Sequence, residues 1–160
     1  TIGDRDYSEY GSLGYGKNRT LYGAAHRASY RSNNPNPSLV CQNQNDKFTV
    51  ESKNGNEKLT YSVGLITSDE VILAGFNTRY SNASDYKDTT NYLYTNSYYW
   101  TFSPVMLNDY GYAYVGAIDE TGLVGNGNVD YAAGVRPVVS LKSGTLVTGD
   151  GTTTSPYIVK

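Results

Sequence analysis

Cys41 and His26 are the two residues of this chain that could pair as nucleophile and base, and each is the only one of its type. A thiol–imidazole dyad needs both groups within hydrogen-bond reach and a third group to orient the base. His26 instead lies in an Ala-rich stretch, Thr20 to Tyr30, with no carboxylate beside it, and no G-x-S-x-G elbow occurs. A lone cysteine forms no internal disulfide and leaves a structural zinc site short of ligands. Cys41 reads as a small buried apolar residue after Leu39-Val40, or as the partner of a cysteine outside these residues.

The acidic residues come as neighbours, Asp69-Glu70 and Asp119-Glu120. Adjacent residues of a strand point to opposite faces, so Asp119 and Glu120 make no facing carboxylate pair on a regular strand. Asp69 and Glu70 have a local explanation in a helix start. Gly125-Asn126-Gly127-Asn128 lacks the lysine and the following helix of a phosphate-binding loop and reads as a turn or loop. Gly149-Asp150-Gly151 lacks the further acidic positions of a calcium loop and reads as a turn. The sequence therefore predicts no enzyme activity, no cofactor and no metal site. Asn18-Arg19-Thr20 and Asn82-Ala83-Ser84 match glycosylation sequons, which matter only in a eukaryotic secreted protein.

Aromatic residues remain. Tyr92, Tyr94, Tyr98, Tyr99 and Trp100, the only tryptophan, precede Pro104, and Tyr110, Tyr112 and Tyr114 alternate after it. Alternation predicts that these three share one face of a strand. They serve either as a tyrosine-rich core with hydroxyls at its rim or as an exposed platform for a partner.

Several elements must position them. Leu21, Ala24, Ala25 and Ala28 have helical spacing, which predicts a first helix over 20–30 with Thr20 as N-cap, ended by the Asn- and Pro-rich 32–38. Lys47 to Glu51 and Lys58 to Val63 read as a hairpin around Asn54-Gly55-Asn56. Thr67 and Glu70 fit a capping box, predicting a second short helix over 68–74 with Gly75 at its C-terminal cap. Residues 76–97 read as a long surface loop. Short strands are expected at 98–102, 112–118, 121–124, 135–141 and 156–159. The class is α+β: two short helices in the first half, packed on a small, mostly antiparallel sheet with long loops.

The chain of 160 residues reads as one domain, 1–160, with 1–19 as an N-terminal extension. It opens without Met and with no charged-then-apolar leader, as expected of a processed or trimmed fragment. Its 17 Tyr and 17 Gly against 3 Phe belong to the vocabulary of recognition surfaces, rigid amphipathic rings among small adaptable residues. A formal charge of −2, from 13 Lys+Arg and 15 Asp+Glu of mixed order, leaves no basic stripe for nucleic acid. The apolar windows, such as Val71 to Phe76, are too short to cross a bilayer.

Tyr99-Trp100 followed by Ser103-Pro104, then a polar segment, then Gly134-Val135-Arg136-Pro137-Val138-Val139-Ser140-Leu141, resembles the C-terminal half of the bacterial C-type-lectin-like fold. That fold is shared by formylglycine-generating-enzyme-like domains and the variable proteins of diversity-generating retroelements. The stretch VGLITSDEVILAG, with the Tyr22-Gly23-Ala24 region and CQNQNDKFTV upstream, is similar to pilin-linked bacterial surface members. The likeness covers roughly residues 20–160. It implies that Trp100, Ser103 and Pro104 on one side, and Gly134, Val135, Arg136 and Pro137 on the other, are scaffold. Between them lies a diversified display segment, about 105–133, whose Asn108, Asp109, Tyr110, Tyr112, Tyr114, Asn126, Asn128, Asp130 and Tyr131 are the expected ligand contacts. One cysteine does not supply the paired active-site cysteines of the formylglycine-generating enzymes. The Glu-Pro-Asn, Gln-Pro-Asn and Trp-Asn-Asp motifs of calcium-dependent lectins do not occur. The resemblance thus implies an extracellular or cell-surface binding module for a protein or glycan on another cell or surface. The alternative is a structural pilin or surface-assembly subunit, attached through a segment before Thr1.

Overall fold

The computed structural model describes residues 20–23, 27–28, 36–40, 59–76, 78, 91–108, 110–152 and 154–160. It is a mixed α/β structure with antiparallel sheets and few helices. The longest element is a strand, β3 (Tyr99–Leu107), and most of what is described hangs on it. It lies between β1 (Thr20–Leu21) and β4 (Ala113–Ile118), with β5 (Val124–Asn128) at the far edge, in the order β1-β3-β4-β5. Among the described residues there are also two small ribbons: β2 (Val63–Leu65) with β6 (Pro137–Val139), and β7 (Val147–Thr148) with β8 (Ile158–Val159).

β3 is nearly twice as long as its local sequence predicts, because it continues through Pro104. A proline cannot donate to a ladder, so it is tolerated where pairing is interrupted. Here the register between β3 and β4 shifts on either side of Pro104. Just before it, the Phe102 N–H turns away to the Ile66 carbonyl at 2.9 Å. Just after it, the Val105 carbonyl accepts from Tyr22 N, and Leu107 and Met106 pair with Thr20 and Leu21.

That last pairing corrects the expected first helix. Thr20 is a strand residue bonded to the edge of β3 and not an N-cap, because the free backbone groups on that edge need a partner. Residues 23 and 27 are helical, and those between them lie outside the described residues. The expected hairpin is also revised. Residues 59–62 are bends and irregular chain, the strand begins at Val63, and its partner is β6, more than seventy residues away. The remainder of that hairpin, with Cys41, lies outside the described residues, as does His26.

The second helix, α1 (Ser68–Leu73), starts where its capping box places it. Thr67 Oγ1 accepts from Glu70 N at 3.2 Å, and Glu70 Oε2 accepts from Thr67 N at 2.7 Å. Ala74 is the C-cap and Gly75 follows it at φ +96°. Asp69, in contrast, does not serve the cap. It is buried, accepts from Arg27 Nε at 3.0 Å and Nη2 at 3.2 Å, and also accepts from Ser38 N at 2.8 Å. One carboxylate therefore ties α1 to two earlier segments.

The core lies between α1 and one face of the sheet: Ile66, Val71, Phe76, Leu93, Tyr99, Ile118 and Val124. Phe76, Thr78 and Leu93 are buried, so both ends of the expected surface loop 76–97 enter the interior. The helix start meets the sheet at Gly116, where a Cβ would stand 2.3 Å from Ser68 Oγ and 2.5 Å from Thr101 Oγ1. Those two hydroxyls bond each other at 3.0 Å, and Ser103 Oγ accepts from Ser68 N at 2.9 Å. A small buried polar cluster thus satisfies an otherwise orphaned helix N–H.

Candidate ligand-binding surface

The two sequence blocks on either side of residues 105–133 meet in space. Gly134 N donates to the Tyr98 carbonyl at 2.9 Å, and Trp100 N donates to the Gly134 carbonyl at 3.0 Å. Two residues on, the Arg136 guanidinium lies 5.2 Å from the centre of the Tyr99 ring and donates to the Leu93 carbonyl. Burial pushes the Tyr99 hydroxyl pKa up, and the nearby Arg136 charge opposes that rise. The polar segment is therefore a closed excursion whose ends are bonded to each other.

Trp100 does its work on the other face of the sheet. Its ring and the Tyr98 ring have centroids 5.7 Å apart and nearly perpendicular planes, and the indole reaches across β4 to β5. A Cβ at Gly127 would stand 2.5 Å from the Tyr98 hydroxyl and 2.9 Å from the Trp100 ring. Glycine at 127 is what leaves room for the indole there. Gly125-Asn126-Gly127-Asn128 is accordingly a strand and not the expected turn, and the strand expected at 121–124 is displaced to 124–128. Asp119 makes the turn that precedes it, accepting through Oδ1 from Thr121 N, Thr121 Oγ1 and Leu123 N.

The β3–β4 turn and the exit of β5 lie at the same end of the sheet, because Tyr114 pairs with Asn128 and Val129 N donates to the Ala113 carbonyl. Asn108 shapes the turn. Its Oδ1 accepts from Tyr110 N at 3.0 Å and Tyr112 N at 2.9 Å, while its own N–H donates to the Tyr112 carbonyl. An asparagine that closes such a turn presents the next side chains outward. Tyr110 is 82% exposed and Tyr112 51%. Tyr110 and Tyr112 lie in this turn and before β4, so the expected shared strand face for Tyr110, Tyr112 and Tyr114 is not formed. Across from them, Tyr131 N donates to the Asn128 carbonyl, and Asp130 and Tyr131 are exposed.

The nine expected contacts thus separate by position. Tyr110, Tyr112, Asp130 and Tyr131 stand exposed at one end of the sheet. Tyr114, Asn126 and Asn128 are half-buried on the strands behind them. Asn108 is occupied by backbone, and Asp109 lies outside the described residues. Asn128 Oδ1 is buried and, among the described residues, accepts no hydrogen bond. Among the described residues no three His, Cys, Asp or Glu side chains gather where they could hold a metal ion, and no helix is long and apolar enough to cross a membrane.

No family model matches the chain, and neither the curated proteins nor the solved structures contain a match to it.

Proposed function

We propose that the chain is a non-enzymatic, extracellular binding module of the C-type-lectin-like class, and that Tyr110, Tyr112, Asp130 and Tyr131 meet its protein or glycan ligand. The observation that carries this reading is the placing of exposed tyrosines from two segments at one end of the sheet, each rooted by backbone bonds beside the start of β4. Tyrosine supplies rigid contact area at low entropic cost, and small polar neighbours supply adaptable hydrogen bonds. The composition of 105–133 also supports diversification by a retroelement. A near-copy of the codons for about 98–141, differing at adenines beside a reverse transcriptase gene, is the genomic test of that extension.

The binding test compares the domain with a Tyr110→Ala/Tyr112→Ala/Tyr131→Ala variant on glycan arrays and surface-protein libraries. Ligands that bind the parent should be lost from the variant while its melting temperature holds. Binding that persists unchanged defeats the reading. A second reading, a surface-assembly or pilus subunit, draws on the exposed apolar residues of the C-terminal strands and the chain between them, among them Val139, Leu141, Leu146 and Ile158. Ordered polymers in the native setting, with no ligand for the tyrosine end, would favour it.

A further inference from the structure

Charge is unevenly divided along the chain. Residues 105–133, which include β4, β5 and the turns at their ends, contain Asp109, Asp119, Glu120 and Asp130 but no Lys, Arg or His. The other 11 of the 15 acidic residues and all 13 basic ones lie outside it, so the segment is formally −4 and the remainder +2. A face that only needs to stay solvated does well with both signs interspersed, whereas a field of one sign steers a partner.

The acids of the segment divide between the two ends of the sheet. Asp119 and Glu120 stand in the β4–β5 turn, where Asp119 Oδ1 takes three bonds from within the turn. Asp130 stands at the opposite end, exposed beside Tyr131 in the turn that follows β5. Among the described residues its carboxylate has no hydrogen bond and no ion pair. Basic residues flank the segment without reaching that turn. β1, which the chain enters after Arg19, lies at the other edge of the sheet from β5, three strand spacings or about 14 Å away. That exceeds the screening length of about 8 Å at physiological ionic strength. Arg136, the first basic residue after the segment, is committed to the Leu93 carbonyl and the Tyr99 ring.

We infer that the ligand of the tyrosine-rich end is a protein and that it docks a basic patch there, with Lys or Arg side chains between Asp130 and the tyrosine rings. The inference rests on the binding-surface reading above and narrows its ligand from protein or glycan to a protein of opposite charge. The rings of Tyr110, Tyr112 and Tyr131 present negative faces that attract a cation, and a full carboxylate beside them adds to that attraction. Val129, 56% exposed, supplies apolar area for the stem of a long basic side chain. An acidic glycan is repelled by the segment, and a neutral one gains nothing from its long-range field. Complementary charge also speeds the encounter, most at low salt.

The test is an NMR titration of the intact 160-residue chain with capped hexapeptides that alternate glycine with arginine, glutamine or glutamate, and with a chitosan hexamer as a cationic glycan. The arginine peptide should shift the Tyr110, Tyr112, Asp130 and Tyr131 signals. It should bind about tenfold tighter than the glutamine peptide at low salt, and the margin should narrow as salt rises. Asp130→Lys, at an exposed position, should erase the preference. Glu120→Gln removes a charge at the opposite end and should leave it intact. Equal binding of the glutamine peptide, an equal loss in Glu120→Gln, or tighter binding of the chitosan hexamer overturns the inference. A protein ligand that is lost from the triple tyrosine variant but bound unchanged by Asp130→Lys overturns it too, while leaving the binding surface itself in place.

Discussion

The Leu93 carbonyl accepts from both the Tyr99 hydroxyl, at 3.0 Å, and the Arg136 guanidinium, which also covers the Tyr99 ring. One carbonyl thus joins the start of β3 to the chain that follows Gly134. Replacing Arg136 with Met removes a cation–π contact and a charge-assisted bond but leaves the carbonyl satisfied by Tyr99. The expected cost is about 1–3 kcal/mol in chemical denaturation. Arg136→Lys should recover only part of it, since a point charge does not stack on the ring as a planar guanidinium does.

Tyr99 also makes stability depend on alkaline pH. Its folded pKa is raised, so its contribution is fully present below the unfolded value near 10 and is lost as pH climbs through the folded one. Tyr99→Phe should be about 1 kcal/mol less stable at neutral pH, through loss of the bond to Leu93. Its stability should fall less steeply than the parent's above about pH 10. Parallel curves for the two proteins across that range would contradict this account.

Gly127 tolerates no side chain without moving an aromatic ring, given the Tyr98 hydroxyl and Trp100 ring above it. Gly127→Ala should cost about 1–3 kcal/mol by overpacking. Because Trp100 is the only tryptophan, its fluorescence reports the displacement directly. An unchanged spectrum with unchanged stability would show that the indole does not rest on this strand.

Asp69 is a buried carboxylate whose removal should be costly. Asp69→Ala leaves Arg27 without its partner and Ser38 N without its acceptor, a loss of about 2–4 kcal/mol. Asp69→Asn keeps an acceptor for Ser38 and should fall between the parent and the alanine variant in denaturant midpoint.

What could be read from the sequence divides by distance along the chain. The α1 capping box was legible because Thr67 and Glu70 are three residues apart and satisfy each other. The turn at Asp150 was legible for the same reason, whereas the turn that Asp119 closes was not foreseen. β5 was not, since glycine and asparagine favour turns locally and become a strand only when Trp100, twenty-seven residues earlier, needs a bare backbone to lie on. The length of β3 was obscured by Pro104, which ends a strand unless neighbouring chains accommodate the break, as Ile66 and Tyr22 do here. Asp69 stands in the first turn of α1, as its place beside Glu70 predicts, but its partner Arg27 lies forty-two residues away and no local spacing points to it. At the tyrosine-rich end, residue type pointed to Tyr110, Tyr112 and Tyr131, but only the strand pairing separates them from the half-buried Tyr114, Asn126 and Asn128.

The bonds of Gly134 to Tyr98 and Trp100, with the pairing of Asn128 to Tyr114, hold both ends of residues 129–133 in place. Closing a loop costs entropy that grows only slowly with its length. Here the anchor points are set by the sheet and not by the loop's own residues. Those five positions can therefore be rewritten, or lengthened by several residues, at nearly constant folding cost, which makes them the natural place to graft a new specificity onto this scaffold.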